Sequence, residues 1–167
     1  MSNIKKIINL ANNISIGKNT KNIFFKLAEL FKQECAYKQE VVTLEAIFNI
    51  TKDAKFLEEI GDIFAKNLEI KEAGEEYYNR YLEQTDKKFY DKYALINDIK
   101  IQKPVSMPSE LQEKLDRYFV YAEILSFLHG RKCYQEILDL KQGLFDLEED
   151  AATYLVENEY PDLEPSE

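Results

Sequence analysis

The chain has 167 residues, 45% of them hydrophobic and 32% charged, a balance that fits one folded domain with a continuous core and excludes a disordered chain. Five Gly and four Pro suit long helices with short connections better than the many turns of a β-sandwich. Residues 1–55 hold nine Lys and five acids, whereas from Asp146 onward there are nine acids and no base; a net charge of −9 placed in this way leaves no broad basic footprint for nucleic acid.

Met1 to Leu10 sets Lys5 and Lys6 before Ile7, Ile8 and Leu10, an order that resembles a signal sequence. Asn9, Asn12 and Asn13 interrupt the apolar run, and the expectation is a cytoplasmic protein. No run approaches the roughly 20 apolar residues that a bilayer span needs, so no membrane insertion is expected. Ile4, Ile7, Ile8, Ala11 and Ile14 share one face of a short helix that Gly17 ends. This helix, within residues 4–17, is expected to cap the open end of the domain.

From Thr20 to Asn97 one pattern recurs every 33 residues. Thr20, Asp53 and Asp86 are candidate helix N-caps. Ile23, Phe56 and Phe89 follow, then Phe24, Leu57 and Tyr90, then Leu27, Ile60 and Tyr93, all bulky. Ala28, Gly61 and Ala94 are small, which predicts close approach of a neighbouring helix, and Phe31, Phe64 and Asn97 close the series. The spacing predicts helices near 21–35, 38–50, 54–67, 71–84 and 87–101. Val41, Leu44, Ile47 and Phe48 form the inward stripe of the second helix, with Ala73, Tyr77 and Tyr81 inward on the fourth.

Pro104 and Pro108 predict a loop over 103–108. Ser109 with Gln112 reads as a capping box for a helix reaching Leu128, where His129 and Gly130 mark its end. Tyr118, Tyr121, Ala122 and Leu125 there repeat the bulky and small signature. A partner helix follows over about 132–147 with Ile137, Leu138, Leu144 and Phe145 apolar, then a short helix near 151–156. The domain is expected to span residues 1–158, with repeats over 20–101 and C-terminal helices over 109–158, followed by an acidic tail, 159–167, that frays.

Leu57-x-x-Ile60-Gly61-x-x-Phe64, followed by Ala73 and Tyr77, resembles a tetratricopeptide repeat. The match is best in residues 54–84, weaker in 21–52, where Glu40 stands in place of a small residue, and confined to the first helix in 87–101. No Trp occurs, and Lys52 and Thr85 stand where Pro closes the second helix of the family's repeat. The resemblance implies an all-α, right-handed α-solenoid of antiparallel helix pairs, about eight or nine helices in all. It also implies a concave groove, lined by first helices, that holds an extended peptide or a partner's helix. The groove positions correspond to Asn22, Phe25 and Glu29, to Lys55, Glu58, Asp62 and Lys66, and to Lys88, Asp91 and Lys92. The carboxylate clamp of one subgroup agrees only at Lys88 and Lys92, while Phe25, Glu29 and Glu59 depart from it, so no clamp is expected.

Chemistry-bearing constellations are sparse. Cys35 and Cys133 lack metal-ligand spacing and read as two buried thiols in a reducing compartment. His129 has no partner at metal-binding or triad spacing and reads as a helix terminus. Glu58-Glu59, Glu75-Glu76 and Glu148-Glu149-Asp150 point about 100° apart on a helix and do not converge. No phosphate loop or nucleophile elbow occurs. Eleven Tyr read mostly as core-edge packing, and Tyr78, beside the buried stripe of Tyr77 and Tyr81, is the candidate for a partner surface. The expectation is a non-enzymatic module, an adaptor, chaperone or regulatory subunit, that binds a protein or peptide and uses no cofactor or metal. The alternatives are a self-associating assembly protein, from the basic first third and acidic tail, and a helical accessory domain of a catalytic partner.

Overall fold

The computed structural model describes residues 2–85 and 109–158, with side chains for 2–82 and 110–153. Among the described residues the protein is all-α, and no helix is long and apolar enough to cross a membrane. The repeat predicted over 87–101, with Asp86, Phe89, Tyr90, Tyr93, Ala94 and Asn97, lies outside them, as do the proline loop and the acidic tail.

Helix α1 (Asn3–Ile14) starts where the Ser2 hydroxyl accepts from the Lys5 N–H, and buries Ile7, Ala11 and Ile14. Gly17 ends the turn after it with φ +75°, a conformation that glycine adopts without steric cost. Helix α2 (Thr20–Gln33) buries Ile23, Phe24, Leu27, Ala28, Leu30 and Phe31. Thr20 does not cap it: the hydroxyl donates to the Gly17 carbonyl and to Glu113, both at 3.2 Å, because Thr20 is already in the first turn and faces the C-terminal half of the chain. Asp53, in contrast, accepts from the Lys55 N–H at 3.1 Å at the next leading helix.

Helix α3 (Tyr37–Thr51) is the centre of the fold. It packs against α2, against α4 (Lys55–Asp62) and against α6 (Ser109–Gly130), and Val41, Leu44, Ala46, Ile47 and Phe48 are all buried. Helix α4 widens into a π-helical turn, Ile63–Asn67, in which the Leu68 N–H reaches back to the Ile63 carbonyl. Helix α5 (Lys71–Thr85) returns against it. The small residue that admits α5 is Gly74 rather than its neighbour Ala73: a Cβ on Gly74 would lie 3.1 Å from the Gly61 carbonyl oxygen.

The burial of the two described copies follows the 33-residue register. Ile23 and Phe56, Phe24 and Leu57, and Leu27 and Ile60 are each 7% exposed or less, and both Ala28 and Gly61 are buried. Helix α6 and helix α7 (Tyr134–Asn158) form a hairpin that lies against α1 and, through α6, against α3. The C-terminal hairpin therefore turns back onto the beginning of the chain, and α1 has α2 beside it and this hairpin over it.

Helix α7 runs unbroken through the gap expected after residue 147. Leu147 and Ala151, one turn apart, are both buried, so continuing the helix keeps one apolar stripe in the core. The inward residues are Leu140, Leu147 and Ala151; Leu138 and Phe145 are 64% and 51% exposed, contrary to the apolar pattern read for this segment. The α2–α3 and α6–α7 turns close by one motif. In each a non-glycine residue takes positive φ, Cys35 at 54° and Lys132 at 60°. The next N–H reaches back five residues, Ala36 to Phe31 and Cys133 to Leu128, both at 2.9 Å. Cys35 is consequently exposed and Cys133 half-buried, not the two buried thiols expected; both are free.

Candidate functional site

The sequence-predicted groove residues divide between two neighbouring hollows that share Phe25. The first lies between α2 and α4, has a volume of about 440 Å³, and is lined by Phe25, Lys55, Phe56, Glu58, Glu59 and Asp62. Its floor is the Phe25–Phe56 pair, ring centroids 5.9 Å apart, with the Lys55 ammonium 5.1 Å from the Phe56 ring centre. Burial pushes the Glu59 carboxyl above its ordinary range, with Lys32 and Lys55 opposing the shift. The second hollow, about 520 Å³ between α1 and α2, is lined by Lys6, Asn9, Leu10, Phe25, Lys26, Glu29 and Leu30. Asn22 and Lys66 are exposed on α2 and the π-turn and line neither hollow. Lys88, Asp91 and Lys92 lie outside the described residues.

Tyr78 is placed by α5 against α4. A Cβ on Gly61 would come within 2.6 Å of the Tyr78 ring, and the Tyr78 hydroxyl donates to Asp62 at 2.6 Å. That bond, which the carboxylate accepts, pushes the phenol up to about 12. The ring is half-buried between two helices. Tyr77 stacks on Phe64 at 5.5 Å and donates to Glu45 at 2.9 Å, tying α5 to α3. Comparison with family models, with curated proteins and with solved structures finds no match.

A third concavity, about 470 Å³, follows the seam between α3 and α6 and is lined by Val42, Glu45, Ala46, Asn49, Gln112, Asp116, Phe119, Ala122 and Glu123. Asp116 is 5% exposed. Its Oδ1 accepts from Asn49 Nδ2 and Gln112 Nε2, both at 3.0 Å, and its Oδ2 has no hydrogen-bond partner. Burial pushes this carboxyl up to about 7; Glu45 adds to the shift, while the two amides and Lys52 oppose it. Gln112, read as half of a capping box, is thus turned to Asp116. Glu123 is also raised by burial, against a hydrogen bond from Gln39 and the charge of Lys38. Glu45 is held by Tyr77 and by Arg80, whose Nη1 is 3.3 Å away.

Sequence reasoning missed this cleft because its walls come from segments more than 60 residues apart. A weak local signal exists: Gln112, Asp116, Phe119 and Glu123 fall on one helical face and interrupt the apolar one. His129 is exposed, its ring 5.8 Å from that of Tyr134 at the α6–α7 turn. Among the described residues no group of three or more His, Cys, Asp and Glu converges as a set of metal ligands.

Proposed function

We propose that this chain is a non-enzymatic interaction module: a tetratricopeptide-like stack whose first helices, α2 and α4, offer a groove to an extended peptide or a helix of a partner protein. It would serve as an adaptor, chaperone or regulatory subunit. The supporting observation is the meeting of Phe25, Lys55, Glu58 and Asp62 around one hollow, although they come from helices a repeat apart. Phe25 is 38% exposed and rests on Phe56, so a large apolar ring is held at the surface by a buried one. Aromatic anchors are enriched where proteins dock.

The test is a photo-crosslinking residue placed at position 25 in the full chain, with position 138 on α7 as control. A defined partner captured at position 25 alone, whose affinity drops tenfold or more in Phe25→Ala and Lys55→Glu, supports the groove. Equal capture at both positions, or affinity unchanged by both substitutions, overturns it.

A further inference from the structure

We propose that the α3–α6 cleft is a binding site for a linear aliphatic polyamine, whose ammonium groups pair with Asp116 and Glu123 while its methylene chain lies along the seam. This site is separate from the α2–α4 groove and does not rest on it. Three observations carry the assignment.

The lining holds three carboxylates, Glu45, Asp116 and Glu123, and no basic side chain. A cleft lined by one sign of charge, with low-dielectric walls, concentrates the opposite charge. Glu45 already has the Arg80 guanidinium and the Tyr77 hydroxyl. Asp116 has a free acceptor in Oδ2 on a side chain more than nine-tenths buried. A buried carboxylate oxygen without a donor is costly, and an ammonium supplies both the donor and the compensating charge.

The spacing selects a chain of charges over a single ion. Asn49 meets Asp116 near one end of the seam, and Gln39 meets Glu123 near the other, so α3 and α6 run antiparallel here. Seven residues separate Asp116 from Glu123, about 10 Å along the helix axis. Carboxylates that far apart do not converge on one metal ion, and none of the described residues forms such a set. They match ammonium groups separated by several methylenes.

The walls between the charges suit those methylenes. Val42, Ala46 and Ala122 present alkyl groups, and the Phe119 ring is 50% exposed at the cleft, where a ring face attracts a cation. A volume of about 470 Å³ lies in the range of sites that take a whole small molecule.

Isothermal titration of the full chain with spermidine, near neutral pH and at low salt, tests this. The expected result is one saturable site, with putrescine weaker, and affinity at least tenfold lower in both Asp116→Asn and Glu123→Gln. Asp146→Asn, on exposed α7 outside the cleft, should bind as the unaltered chain does. If Asp116→Asn does not fold, Glu123→Gln alone decides. Absence of saturation, or binding by the two cleft variants equal to that of the unaltered chain, overturns the site; loss with Asp146→Asn equal to that with Glu123→Gln places the amine on the acidic surface and also overturns it.

Discussion

Tyr78 of α5 lies over Gly61 of α4, and Tyr121 of α6 lies over Gly143 of α7. A Cβ on either glycine would come within 2.6 Å and 2.4 Å of the facing Tyr side chain. Each hydroxyl then finds an acceptor beyond the ring, Asp62 for Tyr78 and the Leu140 carbonyl for Tyr121. Over Gly61 the Tyr78 ring fills the space that a missing side chain leaves; over Gly143 the hydroxyl end of the buried Tyr121 does so. This accounts for part of the tyrosine enrichment.

Gly61→Ala and Gly143→Ala should each destabilise the fold, by about 1–3 kcal/mol, because overpacking outweighs the helix propensity gained. Gly130→Ala is the contrast: nothing lies within 4 Å of its added Cβ, so it should be neutral or up to about 1 kcal/mol stabilising. Urea unfolding followed by circular dichroism measures all three.

Stability should fall as pH rises from about 5 to 8. Asp116 and Glu40 both have folded-state carboxyls raised to about 7, above the unfolded values near 4. The native state therefore binds more protons; the stabilisation is full below the unfolded values and is lost as pH rises through about 7. Glu45 of α3 and Lys52, just after it, act on Asp116 with opposite sign, and Lys32 opposes the Glu40 shift. Asp116→Asn should flatten the profile and gain about 1–3 kcal/mol at pH 8, read by denaturant midpoints at the two pH values.

Phe25→Ala should separate binding from stability. The ring is partly in solvent and stands outside the main core, so the stability cost should stay near or below about 1 kcal/mol, while affinity for a partner held in the α2–α4 hollow falls at least tenfold. Phe24→Ala, one residue away and fully buried, should cost about 3–5 kcal/mol. Melting curves and crosslinking yields for the two variants check the contrast.

The two thiols should label in separate phases. Cys35 is exposed and Cys133 half-buried, so a thiol reagent should reach Cys35 first and Cys133 at a clearly slower rate in the folded chain. Cys35→Ser should remove the fast phase alone, as followed by mass spectrometry.

Among the described residues, the amino-acid order alone settled which stretches are helical and much of which face is inward. Leu57 and Ile60, or Val41 and Leu44, announce their burial by a spacing that a helix turns into one face, and that information is local. The resemblance to a tetratricopeptide repeat likewise implied one groove holding Phe25 and Lys55. Where the α6–α7 hairpin sits is a different kind of information. Its place against α1 and α3 depends on how apolar faces of similar composition pair across long sequence separations, and several pairings satisfy the same periodicity. Asp116 illustrates the consequence: on its own helix it is one acid among many, and only the packing of α6 against α3 removes it from water, leaves Oδ2 without a donor and raises its carboxyl. Burial of a charge is a property of the neighbours that tertiary structure brings, so the α3–α6 cleft became visible only once those helices were in contact.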